Sequence, residues 1–213
     1  MEAVKQGSAA VGLRNKDYVV LLAVKRSPGE LASYQKKVFE IDEHLGIAIA
    51  GLASDARVIS TMMRNEALSS RIRLEMAIPT QRIFSMIASK AQKATQFYGG
   101  RPFGVGLLVA GYDETGPHLF ELMPSGNSLE YHGVSIGARS QSANTFLELK
   151  FNEFRNASLE QLVSVGIQSL KDTMAQDQTL DEKNCSIAIV GKNHPFKILS
   201  EAESKVYLEN VMQ

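Results

Sequence analysis

Tyr18-Val19-Val20-Leu21-Leu22-Ala23-Val24 is apolar almost without interruption and reads as a β-strand. A strand with one face in water alternates apolar and polar residues. This one does not, so both of its faces are expected to be covered. Blocks of strands and blocks of helices surround it. Residues 11–14, 18–24, 37–42 and 45–52 read as an antiparallel meander whose first two strands are joined by the polar turn Asn15-Lys16-Asp17. Two helices follow. The first is expected to be capped by Ser54, with Ala56, Ile59, Met63 and Ala67 on one face; the second begins at Thr80 after Pro79, with Ile83, Phe84, Ile87, Ala88 and Ala91 at helical spacing. A second block repeats the order: strands over 103–113, 117–123 and 129–136, then a helix over 141–154. Next come a helix opened by the capping box Ser158-Leu159-Glu160-Gln161, a strand over 186–190 and a short helix from Glu201. The polar stretch 176–184 reads as a surface loop. A doubly wound fold requires strand and helix to alternate. Blocks with strands covered on both faces instead predict an α/β chain of the α+β kind, a four-layer αββα sandwich in one domain over 1–213.

Composition narrows the partners. Of 213 residues, 44% are hydrophobic and 22% charged, which is ordinary for a globular chain able to bury a core. Lys plus Arg equals Asp plus Glu at 23 each, which leaves no basic excess for nucleic acid or an anionic membrane surface and favours protein partners. The longest apolar runs, at 45–53 and 103–110, are broken by glycines and fall well short of the roughly 20 residues of a bilayer span. The first residues lack the basic start and apolar stretch of a secretory signal. The single cysteine, Cys185, reads as a buried thiol in a reducing compartment, and the sequons at Asn156 and Asn184 read as chance.

Candidate chemistry is sparse. His44, His118, His132 and His194 are scattered without metal-ligand spacing and read as turn or surface residues. Gly191-Lys192 lacks the earlier glycine of a phosphate loop, and Gly104-Val105-Gly106 sits inside a strand, so no nucleotide cofactor is expected. The pairing of Gly7-Ser8-Ala9-Ala10-Val11-Gly12-Leu13 with Lys36-Lys37-Val38-Phe39-Glu40-Ile41-Asp42 is more informative. Ser8, if freed by cleavage after Gly7, would be a nucleophile whose base is its own amine and whose pKa Lys37 would lower. Lys37 also has a plain reading, a solvated residue at the start of an edge strand.

That pairing is similar to the proteasome fold, the N-terminal-nucleophile hydrolase sandwich. Four segments carry the resemblance to 20S proteasome alpha subunits over nearly the whole chain: Glu2-Ala3-Val4-Lys5-Gln6-Gly7-Ser8, Ala50-Gly51-Leu52-Ala53-Ser54-Asp55-Ala56-Arg57, Tyr98-Gly99-Gly100-Arg101-Pro102-Phe103-Gly104-Val105-Gly106 and Ile136-Gly137-Ala138-Arg139-Ser140-Gln141-Ser142-Ala143. Ser33-Tyr34-Gln35-Lys36-Lys37 and Gly106-Leu107-Leu108 most resemble the eukaryotic type-one alpha class. The resemblance implies a non-catalytic subunit of the outer heptameric ring in ubiquitin-dependent protein degradation, in cytoplasm and nucleus, with no cofactor. Its implied partners are other alpha and beta subunits and the C-terminal tails of regulatory particles. Position 8 holds Ser in place of the family's catalytic Thr. The carboxylate that accompanies the lysine in active subunits falls near Val24 or Lys25, neither of them acidic. By the same resemblance Gly7, Lys37 and Leu52 line the pocket that accepts an activator tail, the lysine pairing with its carboxylate. Met1 falls inside the family's first helix, downstream of an aromatic and Pro-Gly segment that plugs the ring's axial pore.

Overall fold

The computed structural model describes residues 2–27, 31–174 and 179–212. A short helix α1 (Glu2–Gln6) leads into β1 (Ala10–Arg14) and β2 (Tyr18–Val24), then β3 (Val38–Asp42) and β4 (Leu45–Gly51). Helices α2 (Ala53–Leu74) and α3 (Thr80–Gln96) follow, then β5 (Val105–Asp113), β6 (Gly116–Leu122), β7 (Ser128–Glu130) and β8 (Gly133–Ile136). The chain ends with α4 (Ser140–Leu149), α5 (Phe151–Phe154), α6 (Leu159–Lys171), β9 (Cys185–Gly191), β10 (His194–Ile198) and α7 (Glu201–Met212). The strands form two antiparallel sheets, ordered β10-β9-β2-β1-β8 and β3-β4-β5-β6-β7.

The β2 run shows why four layers form. Val20 and Leu22 face an outer core shared with Leu162, Val163 and Ile167 of α6, while Val19, Leu21 and Ala23 face a second core between the sheets with Ala48, Leu108 and Leu119. The second sheet buries Ile47, Ile49 and Leu107 against Ile59 and Met63 of α2 and Ile83 and Ile87 of α3. Each central strand is therefore apolar on both faces, and the four-layer αββα sandwich follows.

Most predicted elements form within a residue or two of their expected ends, and the capping box at Ser158 is made: its hydroxyl accepts from Gln161 N at 3.3 Å and Gln161 Oε1 accepts from Ser158 N at 3.0 Å. Four expectations change. Ser54 does not cap α2; the helix starts at Ala53, and extended Leu52 occupies the cap position without a side-chain acceptor. The helix expected over 141–154 breaks at Lys150, leaving α5 as a single turn. The strand expected over 129–136 divides between the sheets as β7 and β8. The crossing is pinned from β1, where Arg14 Nε donates to Tyr131 O at 2.8 Å, Arg14 N donates to His132 O at 2.8 Å and the guanidinium meets Glu130 at 3.0 Å. Finally, β10 was not expected. It is an edge strand with Pro195 beside a register shift, the place where a sheet tolerates proline. Of the loop expected over 176–184, residues 176–178 lie outside the described residues, and 182–184 form a turn before β9.

His132 is exposed and His44 sits in the turn between β3 and β4, as expected, but His118 and His44 also have polar partners. His118 is half-buried, with Nδ1 2.9 Å from Glu130 and Nε2 3.3 Å from Asp113. His44 Nε2 lies 2.7 Å from Ile78 O. Among the described residues no group of His, Cys, Asp and Glu is arranged to hold a metal, and no helix is long and apolar enough to cross a membrane.

Candidate functional site

The segments singled out in the sequence converge where β4 ends. Gly51 has φ +116°, a conformation that side chains rarely adopt, and a Cβ there would collide with the carbonyl oxygen of Gly104. Gly7 lies directly on Gly51, close enough that a Cβ would overlap its amide nitrogen. Gly7 O accepts from Ala138 N at 2.8 Å, and Gly104 O accepts from Leu52 N at 2.9 Å. An ion pair braces the same junction: Arg101 donates to both oxygens of buried Asp55 at 2.7 and 2.8 Å, and Gly104 N donates to Asp55 at 2.8 Å. The Arg101 hydrogen bonds hold the Asp55 carboxyl below the usual carboxylate range despite its burial. Four stretches far apart in sequence thus meet through close backbone approach and one bidentate pair. The sequence reading assigned Arg101-Pro102 only to an extended entry into β5; its guanidinium pairs with Asp55 as well.

Gly7 and Leu52 of the expected pocket are brought together here, and Leu52 stays open, 45% exposed. Lys37 lies nearby along the backbone, its carbonyl accepting from Ile49 N at 3.0 Å. The residue turns elsewhere. It is 3% exposed, against the solvated reading, and lines a cavity of about 470 Å³ between β3, β9 and the start of α7 that includes neither Gly7 nor Leu52. Among the described residues its ammonium has no ion pair or hydrogen bond, although Glu40, Glu182 and Glu201 line the same cavity. Burial first, and then the charge of Arg26, lower its pKa from the ordinary lysine value.

Ser8 is buried, and its hydroxyl oxygen has no hydrogen-bond partner, so no contact joins it to Lys37. It lines a different cavity, of about 450 Å³, with Lys25 and Arg26. The contact that nucleophilic catalysis needs between nucleophile and activating base is not made.

Cys185 is buried beside the Lys37 cavity. Burial pushes its thiol up to about 12, with Lys25 opposing weakly, so it stays protonated near neutral pH and is a poor nucleophile. Iodoacetamide is expected to leave the native chain unlabelled at Cys185 and to label it fully in denaturant. Rapid labelling of the folded chain, read by intact mass, would show that the cavity opens.

Sequence reasoning missed Glu121, a carboxylate buried in the space between the sheets. The signal was present in β6, where Leu119 and Glu121 share a face that the two-sided burial of the neighbouring strands predicts to be interior.

Comparisons with known proteins agree with this architecture. Residues 4–190 match the family described as "Proteasome subunit". The chain is 51% identical over 211 residues to the probable proteasome subunit alpha type-6 of Schizosaccharomyces pombe, covering 99% of this chain and 78% of that protein. It is 51% identical over 209 residues to the proteasome subunit alpha type-1 of Dictyostelium discoideum, covering 98% and 84%. It is 46% identical over 200 residues to the proteasome subunit alpha type-6 of Saccharomyces cerevisiae, covering 93% and 85%.

Proposed function

Because this chain belongs to the proteasome subunit family, we infer that it is a non-catalytic alpha subunit of the 20S core, building the outer ring beside other alpha subunits and resting on beta subunits. The observation that carries this reading is the way residues 2–8 are held. Helix α1 packs on the second sheet, Val4 against Gly106, and Gly7 is locked to Gly51 and Ala138, so Ser8 sits buried in mid-chain with its hydroxyl making no hydrogen bond. A nucleophile freed at Gly7 would require this packed segment to leave. Native mass spectrometry of the chain from its own cells tests the reading. Recovery in a ring complex many times its own 23.3 kDa is expected, with residues 2–7 retained in the subunit mass. A monomer, or a chain cut after Gly7, would overturn it.

The finer part of the proposal is that the Lys37 cavity serves activator docking at the ring surface, in cytoplasm and nucleus, with Gly7 and Leu52 at the neighbouring junction rather than in the cavity itself. Supporting it is the state of Lys37, a buried cation that forms no ion pair among the described residues, which a chain-terminal carboxylate would satisfy. Two effects of Lys37→Met then separate. Removing an unpaired buried charge is expected to leave the isolated chain as stable as before, or up to about 1 kcal/mol more stable. Docking of an activator tail peptide to the assembled ring is expected to weaken about tenfold or more. Unchanged tail affinity, measured by fluorescence anisotropy, would remove Lys37 from the docking role without touching the ring assignment.

A further inference from the structure

The edge strand β8 borders a cavity of about 550 Å³ that reaches from the space between the sheets to the first turns of α4. Asn144 already occupies the free edge: its Oδ1 accepts from Ser135 N at 2.7 Å and its Nδ2 donates to Ser135 O at 3.4 Å, which blunts the strand against pairing with another chain. Beside that blunted edge the cavity keeps several acceptors. Glu121, 7% exposed, faces it from β6, and Tyr131 lines the same cavity. Ser135 borders it through its backbone, its side chain turned with that of Val11 to the helix side of the sheet. Glu148 adds a second carboxylate at the α4 end. Lys5 is the one cation among the described lining residues; it is exposed and forms no ion pair. Val4, Ile136 and the Tyr131 ring supply apolar wall.

A buried carboxylate is costly unless a cation or several donors meet it, and among the described residues Glu121 forms no ion pair. We propose that this cavity is a binding site for an organic cation on a short apolar stem, a guanidinium or ammonium that pairs with Glu121. The planar fork of a guanidinium matches the arrangement best, one edge on the carboxylate, while the stem lies on Val4 and Ile136. The site is separate from the Lys37 cavity, shares no residue with it and does not depend on the docking role of Lys37.

Isothermal titration calorimetry of the whole chain with n-butylguanidinium, and with a short peptide carrying one internal arginine, tests the site. Binding of both probes, weakened about thirtyfold or more in Glu121→Gln, supports the site and assigns it to a free small cation. Binding of the peptide alone, with the same loss, supports it and assigns the cation to the side chain of a partner protein. No binding of either probe, or binding that Glu121→Gln leaves unchanged, overturns the proposal. Gln keeps the size and polarity of Glu121 without its charge, so the variant is expected to fold, and its thermal melt checks this. If it does not fold, Val4→Ser, which removes the apolar wall under the stem, carries the test, with an expected loss of about threefold in affinity and no change overturning it.

Discussion

Gly51→Ala is expected to destabilise the chain by about 4 kcal/mol, enough to unfold much of a marginally stable subunit. Two costs add. The backbone at φ +116° disfavours any side chain, and the new methyl would collide with the carbonyl oxygen of Gly104, which is itself tied to Leu52 N. Gly116→Ala separates them. Gly116 has nearly the same conformation, φ +111°, but a Cβ there meets nothing within 4 Å, so only the conformational part, about 1 kcal/mol, is expected. Urea unfolding midpoints of the two variants measure the difference. Equal losses would mean that the junction yields and that the close approach of the β4 and β5 ends adds nothing to stability.

Phe154→Ala is expected to cost about 4 kcal/mol as well, through a different mechanism. Phe154 is among the largest fully buried side chains, and its ring tip is 3.0 Å from where a Cβ on Gly133 would stand. It therefore fills the space over the point at which the chain enters β8. Phe151 meets its ring edge-on at a centroid distance of 5.7 Å. Truncation leaves a void that Leu147 and Leu162, held by their own helices, fill only in part. Phe154→Leu, which keeps most of the volume, is expected to recover at least half of the loss. A loss under about 1 kcal/mol for the alanine variant would show that α5 collapses into the space.

The layers were legible in the sequence because both-face burial leaves a mark on a strand such as Tyr18–Val24, whose every residue must be apolar. The division of residues 129–136 left no such mark. The strand pattern runs through Glu130 to Gly133, and what splits it is Arg14, more than a hundred residues away, holding the carbonyls of Tyr131 and His132. The edge strand β10 was hidden for a related reason, since Pro195 argues against a strand unless the strand is known to lie at an edge. At the candidate site, Gly7 and Leu52 were brought together only by the family resemblance, since turn chemistry reads no further than Gly51 to Ser54, and the burial of Lys37 depends on β9 and α7, elements from the far end of the chain. Glu121 was passed over because a charged residue in an alternating strand reads as facing water. Only the packing of one sheet on the other turns that face inward.

The order of strands in the first sheet has a consequence for synthesis on the ribosome. Strand β2 sits at the sheet's centre, yet its partner β9 begins at Cys185, so one edge of an early apolar strand waits for most of the chain to be made. The second sheet, β3 to β7, lies entirely within residues 38–130 and can close first. At translation rates of about 5–20 residues per second, the gap of some 160 residues between β2 and β9 leaves Val19 to Ala23 unpaired on that side for roughly 10–30 seconds. During that interval the nascent chain is open to pairing with foreign strands. Its safe maturation rests on cover supplied by other molecules, such as a chaperone at the tunnel exit, until the last strand arrives.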